Sequence, residues 1–261
     1  MLQPETADSL SVGFIWTPSF VDLNIALDYF EVEIQDQVQA LTAASIVNGC
    51  YLSENFPNDP LCSLFTRNGN TAQNPYEITA VNSSYVNIAR QYNEGIDLNA
   101  RYRKEFSFGD LTLNARASYI LKWESQLRTA SIPSNNLDQI GSPDWVASIS
   151  ARFDKGDWTA FWNTDIVDTV NNDRFYTSNS GTFLGQPVYY QRTVDTYIVH
   201  SVSLRKNIDK WQVQAGIRNL FDEGATMTSA SGGGRGAGNV PLSSQYDYLG
   251  RRGFISLTRT W

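Results

Sequence analysis

Two-residue hydrophobic alternation along the whole chain, connections that are short and long in turn, and a last strand ending on an aromatic residue predict an all-β fold for these 261 residues. The predicted architecture is a transmembrane, antiparallel, up-and-down β-barrel, here a partial barrel of about nine strands. Strands with one apolar and one polar side suit a wall between lipid and an aqueous lumen.

The first strand carries Leu10, Val12, Phe14 and Trp16 against Ser11, Gly13, Ile15 and Thr17. After a turn at Pro18 to Phe20, a second strand starts near Val21, with Leu23, Ile25, Leu27 and Tyr29 opposing Asn24, Ala26 and Asp28. Its phase then slips, because Val32 and Ile34 fall on the other parity; a bulge or a rise above the membrane would produce this. The third strand sets Ile96, Leu98, Ala100 and Tyr102 against Asp97, Asn99, Arg101 and Arg103. The fourth is the cleanest: odd positions from Leu111 to Trp123 are apolar, and even positions from Thr112 to Glu124 are polar except Ile120. Strands follow with Trp145, Ala147, Ile149, Ala151 and Phe153, and with Trp158, Ala160, Trp162 and Ile166. The segment from about Val194 to Lys206 is a strand of ambiguous phase. Trp211, Val213, Ala215 and Ile217 then oppose Gln212, Gln214 and Arg218. The last strand has Leu249, Ile255 and Leu257 on one side and Arg252, Ser256, Thr258 and Thr260 on the other, and ends at Trp261. No segment shows sustained helical spacing.

Short turns fall at Pro18 to Phe20, Lys104 to Gly109, Asp154 to Asp157 and Lys206 to Lys210, and long polar connections at about 38–85, 129–142, 171–191 and 222–247. Outer-membrane barrels keep short turns in the periplasm and long loops outside the cell. The expected location is therefore the outer membrane of a Gram-negative bacterium, with the C-terminus periplasmic. Trp16, Tyr102, Phe153, Trp158 and Trp211 cluster beside the short turns, and Tyr119, Trp123 and Trp145 lie toward the long connections, as interfacial girdles require. About nine strands make at most an open curved sheet with two unpaired edges. Met1 to Glu5 have neither the basic nor the apolar region of a signal peptide, so the chain reads as mature or as part of a longer one. No run of roughly 18 apolar residues offers a transmembrane helix. The net charge of −7 argues against nucleic acid as a partner, and the two-faced strands make outer-membrane lipid the expected surroundings.

Cys50 and Cys62 lie in the longest connection and are expected to form a disulfide, worth about 3 kcal/mol for a loop of this size. No metal centre, cofactor or enzymatic site is expected: His200 is the only histidine, and no local motif joins it to a nucleophile. The glycine run from Ser231 to Gly238 lacks the Gly-Lys-Ser/Thr ending of a phosphate cradle and reads as an external loop. Asp97, Arg101, Arg116, Lys122, Glu124, Gln212, Gln214 and Arg218 are the lumen-facing candidates, open to substrate or plug contact or simply to lining a wet wall. Tyr176, Phe183, Tyr189 and Tyr190 suit either ligand stacking or loop packing. Rival readings are a passive porin or adhesin-like barrel, and a soluble β-sandwich binding module.

Asn219, Leu220, Phe221 and Asp222, followed by Tyr246 to Leu249, Gly250, Arg251, Arg252 and a strand to the terminal Trp261, closely resemble the C-terminus of TonB-dependent outer-membrane receptors. Pro4 to Ser9 before the first strand, and Leu27 to Phe30 leading to Ile34, also look like this family. The resemblance covers essentially the whole chain. It implies the C-terminal part of a 22-stranded barrel, residues 1–261 forming one region with no plug domain. In the intact protein it implies TonB-driven import of a small nutrient such as a siderophore, cobalamin or oligosaccharide. The implied partners are that nutrient, the TonB system, the plug domain and the barrel-assembly machinery. Arg259 departs from the family pattern, which usually has an apolar or aromatic residue there.

Overall fold

Each long strand pairs with the strands before and after it in sequence, so that nine of them run up and down through one antiparallel sheet. They are β1 (Thr6–Trp16), β2 (Leu23–Ala40), β3 (Tyr85–Phe106), β4 (Gly109–Gln126), β5 (Trp145–Lys155), β6 (Trp158–Val167), β7 (Tyr197–Ile208), β8 (Trp211–Arg218) and β9 (Arg252–Arg259). This computed structural model describes residues 2–260, apart from 72, 84, 128–131, 172–177, 179, 230–235, 238–239 and 242–244. Trp261, Tyr176 and residues 231–235 and 238 of the glycine run therefore lie outside the described residues. Connections within hairpins are short, two residues each at 107–108, 156–157 and 209–210, and those between hairpins are long. The sequence predicts this alternation because turn residues and polar segments break the two-residue period in turn.

By Cα proximity the chain divides into two compact units. The first comprises Met1–Ser11, Phe30–Glu94 and Lys122–Asn136. Its core is Leu41, Ile46, Cys50, Leu61 and Ile88, with Leu64, Phe65, Val81, Val86 and Leu127 packed around them. Here the structure corrects the expectation of no helix: α1 (Ala43–Tyr51) lies inside the longest connection. Thr42 caps it by accepting the Ser45 amide at 3.1 Å. At nine residues it buries only Ile46 and Cys50, a single i, i+4 pair. That is too short to register as a period. A 3-10 turn, Pro60–Leu64, follows, capped by Asp59, which accepts from the Leu61 amide and the Ser53 hydroxyl, each at 2.8 Å. Cys50 and Cys62 are joined by a disulfide that ties helix to turn, with their Cα atoms 4.9 Å apart.

The second unit comprises Val12–Tyr29, Gly95–Leu121 and Leu137–Trp261. Its buried cluster of Val167, Val170, Val194, Tyr197 and Tyr246 lies at the long-connection end of β6 and β7, joined by the short pairing of Val170–Asn171 with Thr193–Val194. Along the strands, Leu204, Ile217, Ile255 and Leu257 share one face and are exposed, Ile255 by 78%. A sheet face this apolar and this open needs a non-aqueous neighbour. The last strand starts at Arg252, so Leu249 belongs to the preceding connection and not to the strand as the alternation suggested.

Exchanging both cysteines for serine is expected to loosen the first unit by about 3 kcal/mol, the loop-closure term. Limited proteolysis of the 43–67 segment reads this directly: the variant should be cut well before the parent, with the β5–β9 strands unchanged.

Candidate functional site

Direct cross-strand partners in an antiparallel sheet share a face, so register sorts the side chains. From β4 to β9 the ladders run without a shift. One row is Thr112, Arg152, Phe161, Ser203, Gly216 and Phe254; the next is Asp110, Asp154, Thr159, Arg205, Gln214 and Ser256. These rows form the polar face. Arg152 binds Asp154 with its Nε at 2.7 Å, the Thr159 hydroxyl donates to Asp154 at 2.6 Å, and Arg205 donates to Thr159 at 3.0 Å. Gln214 donates to Ser203 and Gln212 to Asn207, both at 3.1 Å, and Asn163 donates to Asp165 at 2.8 Å. These contacts hold long polar side chains along the wall.

Of the sequence candidates, Arg116, Gln212, Gln214 and Arg218 lie on this face, Arg116 opposite Ser148 and Arg218 opposite Arg252. Asp97 and Arg101 share the parity of Arg103, which reaches Glu105 at 3.0 Å and Asp110 at 3.9 Å. Lys122 and Glu124 belong to the first unit, where they pair at 3.2 Å and Lys122 sits over the Tyr92 ring at 4.9 Å. Tyr92 donates to Glu94 at 3.2 Å, and Arg90 meets Glu33 at 3.3 Å. The candidates are thus divided between two charged groups. Two aromatic rings that the sequence analysis did not single out, Phe161 and Phe254, also stand on the polar face. With Asn163, Gln214, Arg218 and Tyr246 they border a cavity of about 730 Å³. Gly216 leaves the space that Phe254 fills: a Cβ there would stand 2.6 Å from the Phe254 ring and from the Val202 carbonyl.

The C-terminal motif folds into a clasp beside this cavity. Asn219, at φ +52°, is buried and closes on Glu223 through its amide oxygen (2.7 Å) and its amide nitrogen (2.8 Å). The Leu220 amide donates to the His200 carbonyl at 2.7 Å. Asp222 accepts the Arg251 amide at 2.7 Å, made possible by Gly250 at φ +66°. Arg252 donates to both Asp247 oxygens at 2.8 and 2.6 Å, and Tyr246 packs edge-on against Tyr197 at 5.3 Å. Burial pushes the Asp247 carboxyl up, but the hydrogen bonds from Arg252 and the Leu249 amide, with the Arg252 charge, outweigh it and hold it below its ordinary value. Burial pushes the Tyr246 phenol up to about 12, so it stays neutral.

The opposite face carries Ala151, Phe153, Ala160, Trp162, Leu204, Ala215 and Ile217. His200 lies on this apolar face, not on the polar one. Its Nδ1 is 2.8 Å from the Thr164 hydroxyl, which also accepts from Trp162 at 3.0 Å, and Phe221 meets its ring edge-on at 5.2 Å. Its cross-strand pairing with Thr164 resolves the ambiguous phase of β7. Of the loop aromatics, Phe183 and Tyr189 are exposed in the hairpin Ser180–Phe183 with Gln186–Tyr189, and the Tyr190 hydroxyl packs against Gly181. Among the described residues, no group of three or more His, Cys, Asp and Glu is set to hold a metal ion.

The family model described as TonB dependent receptor-like, beta-barrel, matches residues 1–220. No curated protein sequence matches the chain. Among solved structures, a variant of the ferric enterobactin receptor PfeA of Pseudomonas aeruginosa superposes with a TM-score of 0.60 at 14% identity, covering 98% of this chain and 31% of that one. The siderophore receptor PirA of Acinetobacter baumannii gives 0.57 at 16%, covering 98% and 32%. The ferripyoverdine receptor of P. aeruginosa gives 0.56 at 14%, covering 98% and 27%. The chain spans about a third of the length of these solved relatives.

Two substitutions probe the geometry. Gly216→Val should force Phe254 off the wall and cost about 1–3 kcal/mol, measured by urea unfolding in detergent. Because the Asp247 value is depressed in the fold, its stabilisation is complete above the unfolded value of about 3.9 and is lost as pH falls through the lower folded value. Amide exchange at residues 250–252 should therefore accelerate in that acid window. In Asp247→Asn it should be fast already at neutral pH and should lose this pH dependence.

Proposed function

This chain belongs to the TonB-dependent receptor-like β-barrel family, and from that premise we propose that it forms part of the wall of an outer-membrane receptor that imports a small nutrient with energy relayed by TonB. The observation that carries the reading is the sorting of side chains by one unbroken register: Arg152, Gln214 and Arg218 on one face, Leu204, Ile217 and Leu257 on the other. A wall between lipid and water requires this sorting, and the exposure of Leu204, Ile217 and Leu257 leaves the apolar face without a protein core against it. The reading assigns the long connections to the cell exterior and the short turns and C-terminus to the periplasm. In the intact receptor a plug domain would fill the lumen against Arg116, Gln212, Gln214 and Arg218. Barrel-assembly machinery would insert the strands.

A ferric siderophore is the first nutrient to test, ahead of cobalamin and oligosaccharides, because the solved relatives include siderophore receptors. The reading assigns binding and transport to the site, with no catalysis. In cells carrying the intact receptor, uptake of the labelled nutrient should saturate and should stop when the proton gradient is collapsed. Uptake that continues without the gradient would make the barrel a passive porin.

A further inference from the structure

We propose that the apolar face beside the short turns binds phosphate headgroups of anionic phospholipid through Lys155, Lys206 and Arg259, which stand in register beside Trp158 and Trp211. This rests on the reading that the apolar face meets lipid. Trp158 stands directly between Lys155 on β5 and Lys206 on β7 in one cross-strand row. The Lys206 Nζ lies 4.6 Å from the Trp158 ring centre. Trp211 stands opposite Arg259 on β9, whose guanidinium lies 5.3 Å from its ring. The arrangement recurs at the β3–β4 turn, where Lys104 Nζ is 5.7 Å from Phe106, which stacks on Phe108 and so reaches Phe153 of the apolar face.

Three features make this more than chance snorkelling of long side chains. The cations occupy corresponding places beside three consecutive short turns, always next to an aromatic ring. A ring that holds an alkyl stem or guanidinium against the wall orders the cation at that depth. Charge is also sorted. In a chain of net charge −7, the nearby carboxylates Glu105, Asp110 and Asp154 lie on the polar face, engaged with Arg103 and Arg152. Asp157 and Asp209 sit at the turn tips beyond the row. The strip of wall at headgroup depth is thus cationic and aromatic, complementary to a phosphodiester anion with an acyl chain beside it. It also explains Arg259: a cation in a place the family pattern gives to an apolar residue completes the pair with Trp211.

The test uses the full chain inserted in vesicles of phosphatidylcholine containing either brominated phosphatidylglycerol or brominated phosphatidylcholine, with tryptophan quenching as readout. Each cation near an anionic surface contributes roughly a fivefold preference, so the chain should prefer phosphatidylglycerol by more than roughly tenfold. The variant Lys155→Gln, Lys206→Gln, Arg259→Gln should lose that preference, while Lys155→Arg with Lys206→Arg keeps it. Equal quenching by both lipids, or a preference that survives the triple glutamine variant, would overturn the proposal and leave the barrel reading intact. Failure to insert into either vesicle would overturn both.

Discussion

Arg152, Phe161, Ser203 and Phe254 stand in one row because the ladders joining β5, β6, β7, β8 and β9 run without a slip. A shift of one residue in any of them would turn a polar strand face into an apolar one. In hydrocarbon, backbone groups have no water to fall back on, so the ladder satisfies them and sorts the side chains in the same act. The polar hydrogen-bond rows, the exposed apolar face and the cation–tryptophan pairs are all consequences of that register. Gly216 shows how tightly the row is built, since its missing Cβ is the room that the Phe254 ring occupies.

The elements outside the ladder serve to end it or cap it. The Asn219–Asp222 segment and the Gly250–Arg252 segment tie the two ends of the last long connection together where β8 stops and β9 begins. The first unit secures its longest connection with a small core, one capped helix and the Cys50–Cys62 disulfide. In the receptor reading, such a connection supplies a structured surface on the side from which ligand arrives.

Strand number, hairpin order and the faces of β4, β5, β6 and β8 were legible because alternation in those strands is nearly strict. β7 was not, because His200 and Lys206 sit on its apolar face and Val199 on its polar face, each stabilised by a tertiary partner that a period cannot reveal. Phe161 and Phe254 fall on the polar side by parity, but only register sets them in one row with Ser203 and Gly216. Helix α1 was hidden by its length. Arg116, Gln212, Gln214 and Arg218 stand on the polar face, but parity said nothing of which candidates would meet. Lys122 and Glu124 pair in one unit, while the Gln212 to Arg218 group lies in the other.

The central claim is that the two faces of β7 and β8 meet different media, and site-directed labelling tests it directly. The native cysteines are joined to each other, so single cysteines introduced at Val202, Ser203, Leu204, Gln214, Ala215 and Ile217 can each carry an environment-sensitive fluorophore. In vesicles, labels at Val202, Leu204, Ala215 and Ile217 should report lipid, and labels at Ser203 and Gln214 should report water, alternating residue by residue. Uniform emission along both strands, or alternation of the opposite phase, would contradict the account.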